Sequence, residues 1–189
     1  MREGKGNIIL LTIIAVATLL VSVAGTTFAY FNAAMNGSDS PTTIEVTSGT
    51  LSVEYDGNAT IHQTGNVAAN QELGKKNFTI TGLVTGSSNL NYEVKMNVKT
   101  NTYAEGELVY TITSKNVSNN GTIITTTSDP VVIPAGASAI NLGKGNFAGP
   151  VASGAEHSYT ISIQYVNGQE VEAAGKEFDA TLSIGQATK

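Results

Sequence analysis

Two histidines, His62 and His157, are the only side chains of this 189-residue chain that ordinarily exchange a proton near neutral pH. A zinc centre needs three or four ligands at short, regular spacing, and neither histidine has a second ligand at helical or hairpin distance. HExxH is absent: Glu156 precedes His157, but Ser158, Tyr159 and Thr160 follow it. No GxSxG provides a nucleophile, and cysteine is missing altogether, which removes thiolate chemistry and disulfides together. GKGNFAG (143–149) has glycines and a lysine without the GxxxxGK[ST] spacing, and no strand there opens into a helix to cradle phosphate. Asp56-Gly57-Asn58 offers two oxygen-bearing side chains, too few for calcium, and reads as a hairpin turn. The residues predict no catalytic centre, no metal and no cofactor. Both histidines read as surface or strand-end residues.

Asparagine chemistry is better represented. Five N-x-[S/T] sequons stand at Asn36, Asn58, Asn77, Asn116 and Asn120. In a chain so rich in Asn, Ser and Thr, several arise by chance. They permit glycosylation where the host has the machinery.

The elements that carry these residues are strands. LNYEVKMNVKT (90–100) puts Leu90, Tyr92, Val94, Met96 and Val98 on one face and polar residues on the other, the period-two signature of an antiparallel strand with one wet side. HSYTISIQYV (157–166) repeats it with Tyr159, Ile161, Ile163 and Tyr165 inward, and EFDATLSIG (177–185) with Phe178, Ala180, Leu182 and Ile184. GTLSVEY (49–55), NFTITGL (77–83) and GELVYTITS (106–114) are further strands, and TIITTT (122–127) and PVVIP (130–134) weaker ones. The inward tyrosines, Tyr110 among them, are core residues and not a ligand platform. Asp56-Gly57, Asn120-Gly121 and Asn167-Gly168 tolerate positive φ, the last placed to close a hairpin whose second strand starts near Val171. Three prolines and the Gly-rich INLGKGNFAGPVASG (140–154) predict a long loop. Many strands without helices between them predict an all-β, jelly-roll-like antiparallel sandwich over residues 42–189.

The composition places this domain outside the cell. Net charge is −5 and only 13% of residues are charged, so the surface is solvated by hydroxyls and amides. A mildly acidic chain is a poor partner for nucleic acid or an anionic membrane surface. Ahead of the domain, Arg2 and Lys5 precede an apolar run at 8–24 without a charge, 17 residues long. The small-x-small triplet Thr27-Phe28-Ala29 follows, a signal-peptidase site that would make 1–29 a cleaved leader and Tyr30 the new N-terminus. Two alternatives stay open. The run could remain as an anchor, or Lys5-Gly6 could be a prepilin-type cut that keeps the apolar helix, although the early glutamate of bacterial pilins is missing.

GTTFAYFNA followed by SGTLSVEYDG resembles the leader class processed by the SipW-type signal peptidase: an apolar run ending in small residues, an aromatic-rich A-[YF]-F-N/D, then a GTL strand. TasA and camelysin, the biofilm-matrix fibre proteins of Gram-positive bacteria, carry it, as do related archaeal bundling-pilus subunits. NVAANQELGKKNFTITGLVTGSSNLNYEVKMNV (66–98) resembles the family's next block, and YTISIQYV with FDATLSIGQ its paired C-terminal strands. The resemblance is densest over residues 8–55, thinner to about residue 100 and architectural beyond; the long insertions of larger members are missing.

The resemblance implies a secreted, non-enzymatic subunit of extracellular fibres, held at the membrane only before leader cleavage. Its partners would be the SipW-type peptidase and other copies of itself. Tyr30, Phe31, Asn32, Ala33, Ala34 and Met35 would form a donor strand for the neighbouring subunit, and residues 36–41 a hinge ending in Pro41. Camelysin-like proteins have been described as proteases, which keeps a secreted protease as a rival. A carbohydrate-binding jelly roll is a second rival; it would want an exposed aromatic strip.

Overall fold

The computed structural model describes residues 42–46, 49–166 and 176–187. The leader, the Ala29/Tyr30 junction, the donor segment Tyr30, Phe31, Asn32, Ala33, Ala34 and Met35, the 36–41 hinge with Asn36, and the turn at Asn167-Gly168 lie outside these residues. So does Val171.

The described residues form ten strands and no helix: β1 (Thr42–Val46), β2 (Gly49–Tyr55), β3 (Thr60–Thr64), β4 (Glu72–Val84), β5 (Leu90–Asn101), β6 (Leu108–Asn116), β7 (Val131–Val132), β8 (Ser138–Phe147), β9 (Val151–Tyr165) and β10 (Glu177–Gln186). All pairings are antiparallel. One sheet runs β1-β2-β4-β9-β6-β7, the other β3-β10-β5-β8. Their inner faces supply the core: alternate residues of β5 (Leu90, Tyr92, Val94, Met96) and of β9 (Tyr159, Ile161, Ile163, Tyr165) are fully or almost fully buried. The alternation works because successive side chains of a strand point to opposite faces.

Several expectations need correction. Residues 140–154 are not a long loop: β8 runs through them to Phe147 and β9 starts at Val151. Glycine within a strand marks close approach of another group, and here it does. A Cβ on Gly143 would come within 2.8 Å of Ile124 Cγ2, and one on Gly145 within 2.8 Å of the Thr122 carbonyl. TIITTT is not a strand; only Thr122 makes a β-bridge, to Asn146. Asp56-Gly57 does not close a hairpin: it carries the chain from β2 in one sheet to β3 in the other, with Gly57 at φ 79°. The C-terminal strands are not paired with each other either, since β9 lies between β4 and β6 and β10 between β3 and β5. Finally, β3 and the first five residues of β4 are strands that the polar sequences TIHQT and ELGKK concealed.

Candidate functional site

The most heavily built feature of the domain lies on the side between β6 and β8. A strand could complete either sheet there, since β6 has only the two residues of β7 outside it and β8 pairs only with β5. Residues 120–127 close this side irregularly and change sheets on the way. At one end Thr122 and Asn146 exchange backbone hydrogen bonds of 3.0 and 2.8 Å, joining the segment to β8. At the other end it lies along β6. Thr127 N–H donates to the Ile112 carbonyl at 3.0 Å, Ile112 N–H donates to Thr127 Oγ1 at 2.9 Å, and Ser114 N–H donates to Thr126 Oγ1 at 3.0 Å. Threonine hydroxyls thus stand in for the backbone acceptors of a neighbouring strand. Between the two ends Ile124 is 3% exposed and plugs the core over Gly143.

Underneath runs a buried polar chain. His157 and Tyr92 are both 0% exposed. His157 Nε2 lies 2.7 Å from the Asn120 carbonyl, and His157 Nδ1 lies 2.7 Å from the Tyr92 hydroxyl. The Tyr92 and Tyr159 hydroxyls are hydrogen-bonded to each other, and Ile124 N–H donates to Tyr159 Oη at 3.3 Å. The protons can be placed by elimination. A carbonyl only accepts, so His157 carries its proton on Nε2 and Nδ1 is the acceptor. Tyr92 must then donate to Nδ1, which leaves its oxygen to accept from Tyr159 O–H, and the Tyr159 oxygen accepts from Ile124. Each donor has one acceptor and the chain runs one way. It starts and ends on the closing segment, at Ile124 N–H and Asn120 C=O, and passes through both sheets.

Burial sets the protonation of this chain. It holds His157 below the ordinary histidine range, a shift that the bond to the Asn120 carbonyl partly opposes. It pushes the Tyr92 and Tyr159 hydroxyls up. Phe147 stacks on His157 with centroids 4.1 Å apart, and Phe78 on Tyr159 at 5.1 Å. With no exposed surface on His157 or Tyr92, the chain orders the core and meets no solute.

His157 is therefore neither a surface nor a strand-end residue. Its parity with Tyr159 and Ile161 was the signal that placed it inward. His62 sits exposed on β3, on a different sheet, and the two histidines do not come together. Among the described residues no group of three His, Cys, Asp or Glu side chains is disposed to hold a metal ion.

The described sequons differ in kind. Asn58 is exposed, its Oδ1 accepting from Thr60 N–H at 3.1 Å. Asn77 is exposed on β4, donates to Asp56 and accepts from Thr160 Oγ1 at 2.8 Å. Asn116 and Asn120 are structural. The Asn116 amide spans its own loop, donating to the Asn120 and Gly121 carbonyls and accepting from Asn120 N–H. The Asn120 side chain pairs with both backbone groups of Ala148, at 3.1 and 2.9 Å.

No family model matches the chain, and no curated protein matches it. Among solved structures, a ruminal GH26 endo-beta-1,4-mannanase aligns at 13% identity and a TM-score of 0.32, over 66% of this chain and 19% of that one. A Podospora anserina GH26-CBM35 beta-(1,4)-mannanase aligns at 14% identity and a TM-score of 0.32, over 80% of this chain and 29% of that one. The chain spans less than a third of the length of either enzyme, and a likeness at this level assigns it no activity.

Proposed function

We propose that the chain is a secreted structural subunit of extracellular fibres, of the kind to which TasA and camelysin belong. In this reading it is a jelly-roll domain that polymerises head to tail. The observation that carries it is GTTFAYFNA (25–33) followed, after fourteen intervening residues, by SGTLSVEYDG (48–57), so that a leader edge, an aromatic segment and a GTL strand stand in that order. The SipW-type peptidase releases Tyr30, and residues 30–35 leave their own domain to add a strand to the next subunit. Such an addition pairs a free row of backbone groups and seats alternate side chains. A head-to-tail contact is heterologous and need not close, so it generates filaments. The side between β6 and β8, closed without a regular strand, is compatible with this scheme.

Lys5-Gly6 favours a second reading, a type IV-like pilin that keeps its apolar helix. Intact mass and N-terminal sequence of protein sheared from cells separate the two. A start at Tyr30 together with filaments in electron micrographs is the expected result; a start at Asn7 gives the pilin.

A further inference from the structure

We propose that Asn120-Gly121 is a latent modification site: the folded loop seals it against deamidation, and opening of the loop converts it to a form that no longer fits. Asparagine followed by glycine is the pair most prone to lose its side-chain amide, because glycine has no Cβ to shield its own nitrogen. That nitrogen attacks the asparagine Cγ. The new C–N bond closes a five-membered imide, and the amide nitrogen takes the displaced proton and leaves as ammonia. Water then opens the ring on either side, to aspartate or to isoaspartate. The reaction needs no catalyst, only approach of nitrogen and carbon to about 3–3.5 Å in good alignment. The dipeptide occurs at Asn36-Gly37, Asn120-Gly121 and Asn167-Gly168, and the second lies among the described residues.

The fold demands both members of this pair. Gly121 has φ 69°, and a Cβ there would strike the Asn146 carbonyl oxygen, so no other residue fits. Asn120 must both donate and accept, since its side chain pairs with the carbonyl and the N–H of Ala148. A carboxylate only accepts and cannot take its place.

The same contacts withhold the reaction. To bring Cγ to the Gly121 nitrogen, the Asn120 side chain has to leave Ala148. To turn that nitrogen toward Cγ, the 120–121 peptide has to rotate, and its carbonyl is held by His157 Nε2 at 2.7 Å and by Asn116 Nδ2 at 3.2 Å. The Asn120 N–H is fixed in turn on Asn116 Oδ1 at 3.0 Å, and Thr122 beyond is paired with Asn146. His157 is 0% exposed, so water does not replace its bond to Asn120 while the loop stays in place. Deamidation therefore proceeds only from the opened population.

The products do not return to the seal. Aspartate at 120 sets a carboxylate oxygen against the Ala148 carbonyl. Isoaspartate adds a backbone carbon and moves the carbonyl that receives His157. A chain that has stayed open long enough thus carries a permanent mark at the loop, and the loss of the loop becomes one-way.

The test incubates the intact purified protein at pH 8, in buffer and in urea, and follows deamidation at each Asn-Gly by peptide mapping. In urea Asn120 should convert at a rate close to those of Asn36 and Asn167. In buffer it should convert at least about tenfold more slowly than in urea, because only the open fraction reacts. No conversion at Asn120 in urea overturns the latent site, and equal rates in urea and in buffer overturn the seal. Asn116→Ala, confirmed as folded by near-ultraviolet circular dichroism, should speed Asn120 conversion in buffer and leave the urea rate unchanged. An unchanged rate in buffer overturns the role given to this loop. Asn120→Asp should refold with a lower urea midpoint than wild type; a wild-type midpoint overturns the one-way step.

Discussion

His157 on β9 and Tyr92 on β5 meet between the two sheets through a hydrogen bond of 2.7 Å, with neither side chain exposed. The bond fixes which hydrogen each group holds, because every other partner along the chain is committed. A core built this way is specified by geometry as well as by volume: hydrophobic burial would tolerate a different registry of the sheets, and this chain would not.

Removing the Tyr92 hydroxyl should be costly. Tyr92→Phe leaves His157 Nδ1 without a donor and Tyr159 O–H without an acceptor, both buried. About 2 kcal/mol or more of stability is the expected loss, since each stranded buried group costs about 1–3 kcal/mol. Tyr55→Phe is the contrast: the Tyr55 hydroxyl is buried without a hydrogen-bond partner. Its removal should be neutral or slightly stabilising. Urea midpoints of the two variants check both, and equal losses would refute this reading of the network.

Stability should fall as the pH drops below the ordinary histidine value of about 6.5. The folded state holds His157 below that value, so the unfolded chain binds a proton first. The contribution is complete above about pH 6.5 and is lost as the pH falls toward the folded pKa, at no more than about 1.4 kcal/mol per pH unit. Geometry gives the reason. A proton on Nδ1 forces Tyr92 to donate to Tyr159, whose own O–H then faces Ile124 N–H. The groups around the ring are Tyr92 from β5, Tyr159 from β9, Phe147 from β8 and the Asn120 carbonyl, and none of them compensates a positive charge. Chemical denaturation between pH 8 and 5 should show this slope in wild type and lose it in His157→Gln.

Gly82 on β4 should not tolerate a methyl group. A Cβ there would run into the Phe147 ring, which is fully buried and held between His157 at 4.1 Å and Tyr92 at 5.5 Å. Gly82→Ala is expected to cost about 1–3 kcal/mol by overpacking. Gly185→Ala, where nothing lies within 4 Å of the added atom, should be near neutral. Thermal unfolding of the pair decides it.

Period two made most of this sandwich legible. β2, β5, β6, β9 and β10 stand where alternation puts them, and Tyr92, Tyr110, Tyr159 and Tyr165 are buried as their parity requires. Three features stayed hidden for physical reasons. His157 shares the inward parity of β9, yet the usual preference of histidine for partly wet positions suggested a strand end; only the partners on β5 and at Asn120 make its burial tolerable. β8 reads as a loop because its glycines signal conformational freedom, when here they clear room for residues 120–127. TIITTT reads as a strand because β-branched residues favour one, and its hydroxyls are used instead to cap β6 while the backbone crosses between sheets. Pairing partners were unreadable because alternation fixes a strand's faces but not its neighbours; the resemblance paired YTISIQYV with FDATLSIGQ, and β9 and β10 lie in different sheets.

The sequons supply a last contrast, between Asn120 and Asn58. The Asn120 amide donates to the Ala148 carbonyl and accepts from its N–H, doing for the end of β8 what another strand's backbone would do. Asn120→Ala strands both Ala148 groups in a part-buried site and loosens the loop whose carbonyl receives His157. An expected loss of about 1–3 kcal/mol follows. Asn58 makes an exposed turn bond to Thr60 N–H, so Asn58→Ala should stay within about 0.5–1 kcal/mol of wild type. The same geometry orders the two sites for modification. A sugar on Nδ2 of Asn120 would have to displace Ala148, whereas Nδ2 of Asn58 has no partner among the described residues. Peptide mapping of protein from a glycosylating host should therefore find added mass at Asn58 and none at Asn120. The reverse pattern, or equal stability of the two alanine variants, would show that the Asn120–Ala148 pairing does not hold the loop.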